Sequence, residues 1–383
     1  MGLVSPLMRR RLKALLLAGG TLWAISVTAG SDSAAAAAAA LRDALPLWAL
    51  QWELGGAQTD TLSSAAVLTL SESPLLLSAR PAVAELWAQA EEEPQFEELD
   101  RPAAQPVEET PTETVSGTDN GVPARTLIPT APDGYTVCGN AYISNTTDHA
   151  LSMDTLRQPF AAALVAEETG PQILIVHTHG SEAYTPADPE GIVWSGDHRT
   201  TDSRYNVVRI GDEMADVFSE AGISVLHDRT LHDYPSYSDA YDRSLSAIED
   251  YLIQYPSIRF VLDIHRDAVA DANGNQYKVV ANTGEDCPAA QLTLVVGSDG
   301  SGLSHPHWME NLRLAVAVQE RLLAQNPTLM RPILLRNSRY NQHATTGSLL
   351  VEVGAAGNAP EEAILAGRLF AQQFAALLQE NQT

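Results

Sequence analysis

Three aliphatic runs in this chain end in groups that can bind a metal or move a proton: ILIV before His177, FVLDI before His265, and LLV before Glu352. Short branched runs bounded by turn residues suit strands buried on both faces of an α/β sheet. In open sheets such strand ends converge on one edge, where ligands bind. Two histidines and carboxylates gathered there are the donors of a catalytic zinc site, with three protein ligands and a fourth position for water. Bound zinc brings the pKa of that water to roughly 7, and a nearby carboxylate then serves as general base and acid. On this reading His177 and His265 are ligands. The third is open between Glu182, in the loop after His177, and Asp202, just before the first long helix. His179 faces the same way as His177 if the strand continues, and is a ligand, a supporting partner or a transition-state donor. Glu352, flanked by aliphatics, needs a charged or metal partner.

Any single histidine is more often a hydrogen-bonded structural residue. That reading is kept for His198, His227, His232, His305 and His307. The triplet His265–Arg266–Asp267 resembles a kinase catalytic loop, but its downstream Asn position is Ala272, and no glycine-rich loop or DFG accompanies it. A P-loop, a GxSxG elbow and an HExxH helix are also missing from the sequence, so any zinc ligands are dispersed.

The elements that must position these groups alternate between strand and helix. Strands are expected at 173–176, 223–228, 259–267, 292–299, 332–336 and 347–353. Helices are expected at 205–221, 244–254, 308–326 and 361–378, with another in the stretch that ends at Leu164. The expected fold is α/β, a mostly parallel sheet covered by helices on both faces. Residues 126–383 would form this catalytic domain. Before it, residues 91–125 form an acidic Pro/Glu/Thr-rich linker, with nine carboxylates between Glu91 and Glu113 opposed only by Arg101. Residues 31–90 are an Ala/Leu-rich juxtamembrane region, and 1–30 carry MRRRLK before an apolar stretch, a membrane anchor or secretory signal, with the anchor favoured. The rest of the chain then lies outside the cytoplasm. The net charge of −25 argues against a nucleic-acid partner. Cys138 and Cys287 read as structural, whether or not they pair.

The set ILIVHTHGSEAY, TTDSRYNVVRIGDEMADVFSEAGI, FVLDIHRDA, HPHWMENLRLA, RYNQH and GSLLVEVGAAGN resembles the stage II sporulation protein P family, in order, from about Asn140 to Leu378. A weaker similarity extends to zinc-dependent N-acetylmuramoyl-L-alanine amidases, through the closing motif VEVGAAGN. The resemblance implies a zinc-dependent peptidoglycan hydrolase acting during engulfment of the forespore. It would cleave the amide between muramoyl group and L-alanine and also cut peptide cross-links. It implies a single-pass membrane protein at the engulfing septum, its catalytic domain extracytoplasmic, working with stage II sporulation proteins D and M. Carried over by position, His177 and His265 take the places of the zinc histidines and Glu352 that of the catalytic glutamate. The wider amidases put the carboxylate ligand at Asp202 and the sporulation family's own loop offers Glu182, so the third ligand stays open.

The expected mechanism has Glu352 taking a proton from zinc-activated water and returning it to the leaving L-alanine nitrogen, with His179 or Arg266 stabilising the oxyanion. The alternatives are a peptidoglycan endopeptidase or carboxypeptidase, and a non-catalytic wall-binding scaffold.

Overall fold

Eight strands build the central sheet: β1 (Thr136–Cys138), β2 (Ala141–Asn145), β3 (Ile173–Val176), β4 (Val225–His227), β5 (Phe260–Asp267), β6 (Leu292–Gly297), β7 (Ile333–Arg336) and β8 (Ser348–Ala355). Their order across the sheet is β1-β2-β7-β6-β8-β5-β3-β4. The long helices are α1 (Val207–Glu220), α2 (Ala240–Gln254), α3 (Trp308–Gln325) and α4 (Pro360–Glu380). The computed structural model describes residues 110–111, 118–129, 131–166, 168–283 and 288–382, which belong to the unit Asp100–Thr383. The segment 1–30, the region 31–90 and Cys287 lie outside the described residues. Among the described residues no helix is long and apolar enough to cross a membrane.

The sheet is mixed, which corrects the expectation of a mostly parallel one. Strands β4, β3, β5 and β8 run together, β6 is antiparallel to β8, β7 and β2 follow β6, and β1 reverses again. Parallel neighbours need a crossover, usually helical. Between β5 and β6 the described residues hold only the short strands Lys278–Ala281 and Ala289–Ala290. Without a helix there, β6 enters the sheet from the opposite edge.

Side-chain alternation divides the central strands between two cores. Ile173, Ile175, Leu262, Ile264, Leu349 and Val351 pack with Phe218 of α1, Leu322 of α3 and Phe370 and Phe374 of α4. Fully burying each such side chain contributes about 1.5–3 kcal/mol. Leu174, Val176 and Val261 lie on the other face, against Ile248 of α2. Asn206 caps α1 by accepting the Val208 N–H at 3.1 Å, and Gly222 (φ 78°) stops it in the left-handed conformation. The helix expected before Leu164 is one turn, Met153–Leu156. The polar loop 180–203 contains a small hairpin, Trp194–Gly196 with Arg199–Thr200.

Order begins before residue 126. Ala124–Arg125 pairs with Lys278–Val279, and Thr110–Pro111 pairs with Leu127–Ile128. The anchor is Lys278, 1% exposed, whose Nζ donates to Glu362 Oε1 and Asn120 Oδ1, both at 3.0 Å, and to the Thr118 carbonyl. Glu362 also accepts from Asn358 Nδ2 (2.8 Å) and from the Ala359 N–H (3.0 Å) that starts α4. Removing one partner of such a pair leaves a buried, uncompensated charge. Lys278→Met is expected to cost about 3–5 kcal/mol in urea denaturation; an unchanged midpoint and slope would show that the pair does not anchor this segment.

Candidate metal centre

Strand β5 brings three carboxylate or imidazole groups to one face, because Asp263, His265 and Asp267 alternate with Leu262, Ile264 and Arg266. On the neighbouring strand Glu352 is the register partner of His265, and on the far side of Glu352 stands Thr293 of β6. Beyond the end of β3 the chain turns through Thr178, His179 and Gly180 and returns Glu182 over the same face. His179, Glu182 and His265 are all buried and each offers a ligand atom, the three atoms lying within 4.8 Å of one another. Glu182 Oε1 is 3.6 Å from His179 Nδ1 and Oε2 is 3.4 Å from His265 Nδ1. Ligands held 2.0–2.2 Å from one tetrahedral ion lie roughly 3.4 Å apart, so this set fits zinc in size and in donor type. Glu352 Oε2 is buried without a hydrogen bond, an orphaned acceptor of the kind an ion or its water satisfies.

Two of the expected ligands, His177 and Asp202, lie away from this cluster. His177 is not part of the cluster. It keeps the alternation of Ile173 and Ile175 and so faces α1, where Gly211 leaves it room: a Cβ at Gly211 would sit 2.6 Å from His177 Nε2. Its Nδ1 meets the Ile264 carbonyl at 3.0 Å and its Nε2 meets His227 Nε2 at 2.8 Å, while His227 Nδ1 is 3.2 Å from Asp212. Burial and His227 push His177 down to about 3, and burial and Arg229 push His227 down to about 4, so both rings are neutral packing groups near pH 7. His265 lies on the opposite face, and the turn after His177 delivers His179 there. Asp202 is likewise elsewhere, held by Arg204 Nη2 at 2.6 Å. Glu182 is the carboxylate brought to the histidines.

Arg266 also takes a different part from the oxyanion role expected of it. Its Nε donates to the Ala183 carbonyl (3.2 Å) and its Nη2 to the His198 carbonyl (2.9 Å), while its backbone N–H donates to Glu182 Oε2 (3.2 Å). It fastens the Glu182 loop to β5. Arg199 fastens it from above, donating to Asp233, Ser181 Oγ (3.2 Å) and Glu182 Oε1 (3.4 Å). Arg199, Asp233 and Tyr237, whose ring stacks on His179 at 4.7 Å, were missed in the sequence. They sit in loops, where no period marks them.

Residues 84–375, about three-quarters of the chain, match the family model of Stage II sporulation protein P (SpoIIP). The chain belongs to that family. It is 26% identical over 220 residues to the stage II sporulation protein P of Bacillus subtilis (strain 168), a match covering 53% of this chain and 50% of that protein. The chain thus spans about half the length of the curated relative it matches. Among solved structures, N-acetylmuramoyl-L-alanine amidase AmiC2 of Nostoc punctiforme aligns with 56% of this chain and 96% of its own, at 14% identity and a TM-score of 0.30. The CwlD amidase from Clostridioides difficile, in complex with the GerS lipoprotein, aligns with 55% of this chain and 98% of its own, at 14% identity and a TM-score of 0.34.

The electrostatics of the site in this SpoIIP-family chain separate its two glutamates. Burial raises Glu182, but Arg266 and hydrogen bonds from His179 and His265 outweigh it and hold the carboxyl well below the usual range. Glu352 lacks such donors. Burial and the Asp267 charge push it up to about 8, against a smaller pull from His265. One carboxylate is thus kept as an anion, suited to a metal, and the other is poised near neutrality, suited to proton transfer. The raised value has a stability sign: native Glu352 keeps a proton that the unfolded chain loses above about 4.5, so stability declines as pH rises toward 8. In metal-free protein, Glu352→Gln is expected to raise the melting temperature relative to wild type at pH 8 by several degrees, with the difference vanishing near pH 4.5. A pH-independent difference in calorimetry would contradict the assignment.

Proposed function

We propose that this chain is a zinc-dependent peptidoglycan hydrolase of sporulation that cleaves the amide between N-acetylmuramic acid and L-alanine, and cuts peptide cross-links as well. The observation that carries this reading is the buried His179–Glu182–His265 cluster with Glu352 on the adjoining strand, in a member of the SpoIIP family. His179, Glu182 and His265 would hold the ion, which when bound would activate water near neutral pH and polarise the scissile carbonyl. Glu352 takes the proton from the attacking water and returns it to the leaving L-alanine nitrogen. Arg266 and Arg199 keep Glu182 ionised and aimed. The loop 180–203, which carries the exposed Trp194, and the exposed ring of Tyr237 stacked on His179 border the site and suit an extended glycan strand with its stem peptide. Membrane attachment through residues 1–30, the extracytoplasmic site of action and cooperation with stage II sporulation proteins D and M belong to the same proposal.

The competing reading is an enzyme that cuts only peptide bonds of the wall. Mass spectrometry of digested sacculi separates the two, since only an amidase leaves glycan free of stem peptides. Stem-free glycan is the expected product, and Glu352→Gln should lower its release by at least about 100-fold. Products cut solely within the peptides would replace amidase by endopeptidase or carboxypeptidase.

A further inference from the structure

The motifs HPHW (His305–Trp308) and RYNQH (Arg339–His343) supply nothing to the candidate metal centre, and they meet each other toward the far end of β6. Gln342 fixes the meeting place: its Oε1 accepts the Gly297 N–H at 2.8 Å and its Nε2 donates to the Val295 carbonyl at 2.7 Å. Gly297 is four residues along β6 from Thr293, the partner of Glu352, a separation of roughly 13 Å. The Ser301 N–H donates to the Asn337 carbonyl at 3.1 Å and Arg339 Nη1 to the Ser304 carbonyl at 3.3 Å, which laces loop 298–307 to loop 337–345. Asn311 of α3 donates to the Gln342 carbonyl at 2.9 Å. Tyr340 (φ 48°) and Asn341 (φ 56°) are consecutive left-handed residues, and they turn the chain into the 3₁₀ turn Gln342–Ala344 that sets His343 beside His305.

His305 is not the hydrogen-bonded structural histidine expected from the sequence. It is 1% exposed, and both its ring nitrogens are buried without a hydrogen bond among the described residues. Nδ1 of His343 is buried and equally unpartnered. Buried polar atoms are normally bonded, so three such nitrogens on neighbouring rings call for an occupant, an ion or ordered water. Burial, His343 and His307 push His305 down to about 4, and burial and Arg339 lower His343. Near pH 7 both rings are therefore neutral, the form in which imidazole binds a metal. The two permanent charges that reach His305, Arg339 and Asp299, oppose each other.

The spacing of the rings suits a shared ion. Their centroids are 6.3 Å apart and their planes cross at 79°. Two imidazoles bound to one ion at about 2.0–2.1 Å put their ring centres about 5 Å apart at a tetrahedral angle and about 6.4 Å apart when opposed. The observed pair stands at the wide end of that range, and a swing of about 1 Å by the half-buried His343 reaches the tetrahedral value. The exposed His307, close enough to act on the charge of His305, and water are the groups that would complete the shell. Such a donor set is nitrogen-rich, which suits zinc, copper or nickel and not the oxygen-seeking magnesium or calcium.

We propose that His305 and His343 form a second metal site, for zinc or a related nitrogen-preferring divalent ion, that clamps loops 298–307 and 337–345 together. With two buried imidazoles in place of three protein ligands, it binds more weakly than the cluster at His265, and it fills on titration without being carried through purification. The test compares zinc-binding capacity of the full chain and of His343→Ala by equilibrium dialysis against zinc alone. Wild type should take up about one zinc per chain more than His343→Ala, and magnesium should show no such difference. The difference between the two proteins carries the result, so it does not depend on the function proposed above: a failure of the His265 cluster to bind zinc lowers both totals equally. His305→Ala should lose the same equivalent, and His343→Ala, altered at the half-buried ring, decides the matter where His305→Ala does not fold. Saturating zinc should also raise the melting temperature of wild type by several degrees more than that of His343→Ala. Equal capacity and equal thermal shift in wild type and folded His343→Ala would overturn the proposal, leaving water as the partner of these rings. So would an extra zinc that is lost in His179→Ala and kept in His343→Ala.

Discussion

A carboxylate as deeply buried as Glu182 is tolerated only when its charge is met at close range, and much of the local structure answers that requirement. Glu182 is 6% exposed and faces His179, His265, Arg199 and the backbone N–H of Arg266. These partners come from three pieces of chain, the turn at His179, the hairpin at Arg199 and the strand β5 with His265 and Arg266, so meeting the charge also assembles the site. Arg266 ties the loop to β5, Arg199 ties it to Asp233 and the segment bearing Tyr237, and the two histidines close the remaining side. The same groups that stabilise the anion leave it pointed at the space a cation would occupy. Glu352, one strand over and denied such donors, goes the other way and retains a proton near neutral pH.

The two faces of the sheet divide labour. One is packed with aliphatic and aromatic side chains against α1, α3 and α4, the large core that fixes strand positions. The other carries Asp263, His265, Glu352 and Thr293, with α2 and Tyr340 covering only part of it. A one-residue slip of β5 against β8 would exchange the faces and bury the acids in the apolar core, so the hydrophobic pattern that sets the register also secures the chemistry.

How much of this could be read from sequence depended on whether a regular period reached the residue. His265 and Glu352 lie inside strands, where alternation and flanking aliphatics point to a buried polar site, and the structure makes them register partners. The same alternation, followed strictly, puts His177 with Ile173 and Ile175 on the α1 face and away from His265. Treating the strand end as a single position hid that parity. His179 and Glu182 follow a turn, where the period stops, and only the tertiary fold returns them to the site. The direction of β6 was readable in principle, since the stretch between β5 and β6 lacks a helical pattern. Arg199 and Asp233 were not readable, because their partners lie 17 to 52 residues away and share no period with them.

The central claim is that His179, with Glu182 and His265, holds the metal, and that His177 does not. Zinc analysis of the purified full chain, comparing His179→Ala with His177→Ala, tests it directly. Wild type and folded His177→Ala should each retain about one zinc per chain, and His179→Ala a small fraction of that. Loss of zinc in His177→Ala with retention in His179→Ala would contradict the account.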